Sequence, residues 1–152
     1  AGTSHPPAAQ AQEAEYFCGD QPATIVGTEG LDNIDGTDGP DVIVALGGGG
    51  NIRGWGGDDI ICGGDDIIER IIGGAGNDTI YGGAGRDLIS GDSGDDTIYG
   101  EDGDDLLQGG QGFDTLVGGL GDDTLDGGSE EDVCDVGEDG GSTEACESFS
   151  LP

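Results

Sequence analysis

From Gly73 to Asp135 the chain consists of seven nine-residue blocks that follow one another without insertion. Nearly all carry Gly at the first and fourth positions, Asp at the sixth and an aliphatic residue at the eighth. GGAGNDTIY (Gly73 to Tyr81) and GGLGDDTLD (Gly118 to Asp126) are the clearest examples. A unit this short cannot bury its apolar residue alone, so the repeat demands an architecture in which successive units stack.

The same frame extends towards the N-terminus. Gly27 to Asp35, Gly36 to Val44, Ala45 to Arg53 and Gly54 to Cys62 are contiguous blocks with Ile34, Ile43, Ile52 and Ile61 at position eight. Their sixth positions are Asp32, Asp41, Gly50 and Asp59, so the third block lacks the carboxylate. A ten-residue block, Gly63 to Ile72, shifts the frame by one; counted back from Gly73 it places Glu69 at position six and Ile67 where Gly is expected. The regular run then supplies Asp78, Asp87, Asp96, Asp105, Asp114, Asp123 and Asp132, with Ile80, Ile89, Ile98, Leu107, Leu116, Leu125 and Cys134 at position eight.

Within a block, glycines permit backbone angles closed to other residues, so the first six residues form a tight turn. The last three are strand formers, with the middle side chain pointing inward and its neighbours outward. Two blocks make one coil of a flattened right-handed helix, and blocks 18 residues apart stack. The expected fold is therefore all-β: a right-handed parallel β-roll, or β-helix solenoid, of about twelve nine-residue repeats, two per coil.

Stacking sets each position-six Asp beside that of the next coil. Two carboxylates plus main-chain carbonyls are hard oxygen donors suited to calcium. An isolated turn has no need of Asp at one phase in ten of twelve blocks, so a purely turn-forming role does not account for the pattern. Pairs one coil apart are Asp41 with Asp59, Asp78 with Asp96, Asp87 with Asp105, Asp96 with Asp114, Asp105 with Asp123 and Asp114 with Asp132. Asp32 faces Gly50 and Glu69 faces Asp87, which makes weaker pairs. The expectation is about six to eight ions; a trivalent lanthanide also takes many hard oxygens, and residue identity does not rank it against calcium.

Composition points the same way. With 36 Gly, 5% aromatic residues and a formal net charge of -31, the 152 residues cannot build an ordinary globular core. Ions at two charges each would cancel up to about half of that charge, so folding and metal binding are expected to be one event. The same charge disfavours nucleic acid and anionic membrane as partners. No apolar run approaches the roughly 18 residues of a membrane span.

The nine-residue pattern resembles the RTX, or haemolysin-type calcium-binding, repeat family over Gly27 to Asp135. The stretch from Cys18 through Ala23, Thr24, Ile25, Val26, Gly27 and Thr28 to Ile61, Cys62, Gly63 and Gly64 is similar to secreted bacterial members that consist of little but repeats. The resemblance implies a calcium-loaded parallel β-roll, with side-chain ligation at the position-six Asp residues and carbonyls from the glycine turns. The departures at Gly50, Glu69 and Ile67 weaken the sites those residues would share.

The ends differ from the array. The expected organisation is a flexible tail over residues 1–17, an N-terminal cap over 18–26, the roll over 27–135 and a C-terminal cap over 136–152. The absence of Met and of an apolar h-region at the start is read as a mature form, and four Cys suit an oxidising, extracytoplasmic setting, secreted or at a bacterial cell surface. Cys62 is at an outward ninth position that Cys18 could reach. Cys134 is at an inward eighth position that Cys146 could cover. Of three connectivities, Cys18 with Cys62 and Cys134 with Cys146 is favoured.

No enzyme is expected. The stretch Gly91 to Asp95 (GDSGD) resembles the surroundings of a nucleophilic Ser, but it lies in phase with the repeat and the one His, His5, is in the tail. The Gly-x-Gly strings have no following helix to hold a pyrophosphate. Asn77 to Thr79 is a glycosylation sequon only in a host that reads it. One outward face is a ladder of Thr, Tyr and β-branched residues (Thr79, Tyr81, Thr97, Tyr99, Thr115), which strand propensity explains and which an adhesion or ligand-binding module for glycan, protein or ice would also use. A third expectation is a calcium-dependent folding or secretion tail of a larger protein.

Overall fold

A computed structural model describes residues 15–65 and 69–146. Most of the expected tail, with His5, the irregular Ile67 and the end of the expected C-terminal cap lie outside the described residues. Those described contain no helix, and therefore none long and apolar enough to cross a membrane. They form two seven-stranded parallel sheets and one antiparallel pair.

The first sheet stacks Ile25–Val26, Val42–Leu46, Ile60–Gly64, Thr79–Ala84, Thr97–Asp102, Thr115–Leu120 and Val133–Asp135. The second stacks Asp32–Asp35, Gly50–Gly56, Glu69–Ala75, Leu88–Ser93, Leu106–Gln111, Asp123–Ser129 and Gly141–Glu144. The chain alternates between sheets at every block, so the two-block coil of the expected parallel roll is what forms. Partners lie 18 residues apart, as in Ile89 opposite Leu107 and Ile98 opposite Leu116. Across the ten-residue block the step is 19, with Ile52 opposite Ile71 and Ile61 opposite Ile80.

Position eight is the core. Ile43, Ile61, Ile71, Ile80, Ile89, Ile98, Leu107, Leu116 and Leu125 are all at 0% exposure. Each such side chain contributes about 1.5–3 kcal/mol relative to leaving it in water. The core is only one residue wide per block, which is why nothing else in the repeat needs to be apolar.

The strands run longer than three residues. Thr97–Asp102, for example, continues into the first three positions of the following block. Its pairing crosses a residue with positive φ at position two, and a β-carbon on Gly110, at φ 118, would run into the Asp92 carbonyl. Four non-glycine residues nevertheless hold this left-handed conformation at position two: Leu46, Trp55, Asp92 and Glu101, at φ 75 to 84.

Both ends are tied. Phe17–Cys18 pairs with Gln21–Pro22, and Cys18, 1% exposed, is bonded to Cys62 with the Cα atoms 5.6 Å apart. The N-terminal turn covers Val44, which explains why this outward residue is buried at 7% exposure. At the other end Cys134 is bonded to Cys146, Cα atoms 5.8 Å apart. The stack continues past residue 135, because Gly141–Glu144 pairs in parallel with Asp123–Ser129 as a further stretch without Gly at the first and fourth repeat positions.

Candidate metal sites

Each turn delivers its position-six carboxylate to one of two edges of the roll. The residue before each strand of the first sheet forms the first edge: Asp41, Asp59, Asp78, Asp96, Asp114 and Asp132. The residue at or just before each strand of the second sheet forms the second: Asp32, Gly50, Glu69, Asp87, Asp105 and Asp123. The array thus brings the predicted residues together by coil and divides them by edge.

On the first edge the carboxylates form an unbroken ladder. Asp59 Oδ1 accepts the Asp41 N–H at 2.8 Å and Asp78 Oδ1 accepts that of Asp59 at 2.9 Å. Asp96, Asp114 and Asp132 accept in turn from Asp78, Asp96 and Asp114, each at 2.8 Å. The Asp59–Asp78 step spans 19 residues and escapes a strict 18-residue pairing. On the second edge the ladder begins only at Glu69, whose N–H donates to Asp87 Oδ1 at 3.0 Å, and continues through Asp105 to Asp123. Glu69 turns back on its own loop, where Oε2 accepts the Gly64 N–H at 2.9 Å.

The second oxygen of each carboxylate separates the predicted residues further. Asp32 Oδ2 accepts from the Thr28 N–H at 2.5 Å and its hydroxyl at 3.1 Å. Asp41 Oδ2 accepts from the Thr37 N–H at 2.6 Å and its hydroxyl at 2.9 Å. In contrast, Oδ2 of Asp59, Asp78, Asp87, Asp96, Asp105, Asp114, Asp123 and Asp132 is buried and accepts no hydrogen bond. A buried anionic oxygen without a partner is costly, and eight of them in register require a common explanation.

The protonation behaviour reflects that cost. Burial pushes Asp59, Asp78, Asp87 and Asp105 up to about 6, partly offset by the ladder hydrogen bond. Glu69 and Asp96 rise to about 7 for the same reason, with the neighbouring Asp87 and Asp78 carboxylates adding to the rise. Asp114 and Asp123 are also raised by burial.

What lies around these oxygens is glycine backbone. The point where a β-carbon of Gly91 would sit is 2.7 Å from the Gly109 carbonyl oxygen and closer still to Asp96 Oδ2. At Gly82 the distances are 2.7 Å to the Gly100 oxygen and 2.9 Å to Asp87 Oδ2. Gly100 and Gly109 repeat the arrangement with Gly118 and Gly127. Position-one glycine therefore leaves a cradle, which any side chain would fill, on which an anionic and a carbonyl oxygen converge. Among the described residues no three Asp, Glu, His or Cys side chains gather at one point, so the donor set is carboxylate plus main chain. That chemistry fits a large hard cation such as calcium and does not resemble a zinc or copper site.

A feature the position-six pattern does not reveal is an outer ladder at position five. Asp58 Oδ1 accepts the Asn77 N–H at 2.8 Å, Asn77 Oδ1 that of Asp95 at 2.9 Å, and Asp95 Oδ1 that of Phe113 at 2.9 Å. The recurrence of Asp or Asn at position five was the available signal. These exposed bonds hold adjacent turns in register, which keeps the inner oxygens aligned.

The model of the RTX calcium-binding nonapeptide repeat family matches in four copies, over residues 26–51, 64–98 and 99–134. A search of curated proteins finds no matching relative. The matched segments take in the whole of both carboxylate ladders except the short stretch around Asp59. Since they also cover more than half of the sequence, the chain belongs to the RTX calcium-binding nonapeptide repeat family.

Proposed function

We propose that this calcium-binding repeat protein is a secreted, non-enzymatic bacterial module whose folding is driven by calcium uptake. The eight buried, unpartnered Oδ2 atoms carry the reading. At neutral pH they place like charges in register inside a chain of net charge -31, an arrangement that self-repulsion opposes until a counter-charge enters. Bound calcium supplies that counter-charge. The residues that hold it are Asp59, Asp78, Asp96, Asp114 and Asp132 on the first edge and Asp87, Asp105 and Asp123 on the second, together with main-chain carbonyl oxygens of the turns. One ion per cradle gives eight, the upper end of the range expected from the repeat. Asp32 and Asp41 have Thr28 and Thr37 as partners and Glu69 has Gly64, so these three hold calcium less tightly or not at all.

The test is far-UV circular dichroism during a calcium titration of chelator-treated protein, with ions counted by calorimetry. A cooperative change from coil to strand with about six to eight ions is expected. A chain that is folded in chelator and takes up none overturns the reading. Repeating the titration with a trivalent lanthanide ranks the two cations.

A second reading, a ligand-binding module, is favoured by one observation. Tyr81 and Tyr99 stack on the first sheet with ring centroids 5.1 Å apart and planes 8° from parallel, beside a cavity of about 350 Å³ lined by Cys62, Tyr81, Asp65 and Glu101. A glycan array screened at millimolar calcium tests it, and Tyr81→Ala should abolish any signal.

A further inference from the structure

The first edge ends beyond the repeats. Its cradles pair each carboxylate with the carbonyl one coil further on, and the partners run Gly54, Gly73, Gly91, Gly109 and Gly127. At the last cradle, formed by Gly127, the glycine series is exhausted. There the point for a β-carbon of Gly127 lies 2.5 Å from Asp132 Oδ2 and 2.5 Å from the carbonyl oxygen of Ala145. Asp132 is at 0% exposure and its Oδ2 accepts no hydrogen bond, as at the interior cradles.

Ala145 is neither a glycine nor part of the matched repeats, which stop at residue 134. It reaches φ 50 at an exposed position with no further coil described beyond it to hold it there. The next residue is Cys146, bonded to Cys134, which is in the core directly after Asp132 and Val133. The disulfide therefore joins the two sides of this one cradle: Cys134 follows the carboxylate by two residues and Cys146 follows the carbonyl by one.

We propose that the Cys134–Cys146 disulfide completes a terminal calcium site by holding the Ala145 carbonyl against the Asp132 carboxylate, in the role that the next glycine turn plays elsewhere. The inference rests on the calcium reading given above. It assigns the bond a function beyond capping: without it Ala145 belongs to a frayed end, and the last carboxylate has no carbonyl opposite it.

Ion counting at saturating calcium tests this. The unaltered protein, Asp132→Asn, the Cys134→Ser/Cys146→Ser pair and the combination are compared, with Cys18–Cys62 intact throughout. Each alteration is expected to lose one ion, and the combination the same single ion, while circular dichroism of the interior coils is unchanged. A full ion count in the Cys-replaced protein overturns the proposal. A failure of the unaltered protein to take up any ion overturns the calcium reading instead.

A second arm does not depend on the Cys variant folding. Ala145–Cys146 is the one Ala-Cys step in the sequence, so carbonyl-labelled Ala with nitrogen-labelled Cys gives a single correlation signal. In calcium-saturated protein with both disulfides intact, Asp132→Asn should shift that signal and Asp96→Asn should leave it in place. A signal equally indifferent to both overturns the proposal.

Discussion

The two edges of the roll share one core and one repeat yet differ in continuity. The first edge runs through six carboxylates, Asp41 to Asp132, without a missing step. The second is interrupted at Gly50 and Glu69 and is regular only from Asp87 to Asp123. Both edges take one 19-residue step across the ten-residue block, Asp59 to Asp78 on the first and Gly50 to Glu69 on the second, and only the first has a carboxylate on both sides of it. Interior packing does not register the difference, since Ile52, Ile61, Ile71 and Ile80 are buried alike. What the comparison teaches is that the hydrophobic register and the carboxylate register are separate systems: both tolerate the inserted residue, and the second is lost only where position six carries no Asp.

The largest effect should come from removing calcium, which should unfold both edges at neutral pH. During partial removal, hydrogen exchange should open the amides of Asn51 and Arg53 on the interrupted edge before those of Thr97 and Thr115. Simultaneous opening would mean that the two edges form one cooperative unit.

Acid should act in the opposite sense on chelated protein. The carboxyls of Asp59, Asp78, Asp87 and Asp105 rise in the folded chain from 3.8 to about 6, and that of Asp96 to about 7. A raised folded value means that the fold's stability is fully present below about 4 and is lost as pH rises through 6 to 7. Chelated protein should therefore gain strand signal on acidification from pH 7.5 to about 4, and calcium affinity should fall over the same window as protons compete. Both edges contain such groups, so acid should not discriminate between them.

Single substitutions should discriminate. Asp96→Ala removes a ladder acceptor and strands the buried Asp78 N–H, and should cost about 3 kcal/mol in urea unfolding at saturating calcium. Asp32→Ala, on the exposed start of the other edge, should cost about 1 kcal/mol. Between them lies an attempted repair. Gly50→Asp restores the repeat in sequence, but Gly50 has φ 147 and its β-carbon would run into the Asp32 backbone, so a loss of about 2 kcal/mol with no gained ion is expected. A gain in ion count would show that the gap is a matter of side chain alone.

Much of this was legible in the residues because a solenoid makes position equivalent to place. Ile43 through Leu125 at position eight are the core, and the Cys pairing follows from which end and which face each Cys occupies. Other features depend on competition between groups, which a repeat template does not weigh. Thr28 and Thr37 stand where glycine is usual and donate to Asp32 and Asp41, so two residues in phase with the ligands already have partners. Asp59 and Asp78 meet because the inserted residue is absorbed within one coil. The last coil lacks the glycine signature because backbone pairing to Asp123–Ser129 and a disulfide hold it instead.

The carboxylate ladder also has a direction. Every step donates from the N–H of an earlier coil to the Oδ1 of a later one, never the reverse. A fragment cut from the C-terminal side thus ends in an amide with nothing to donate to, whereas one cut from the N-terminal side begins with a carboxylate that has lost a donor and can still be hydrated or neutralised. At the natural start, the Thr24 hydroxyl stands 3.5 Å from Asp41 Oδ1 in place of that donor. The outer ladder runs the other way, from the N–H of a later coil to the Oδ1 of an earlier one. Truncations of equal length from the two ends are therefore chemically unequal: each cut strands amides of one ladder and frees acceptors of the other.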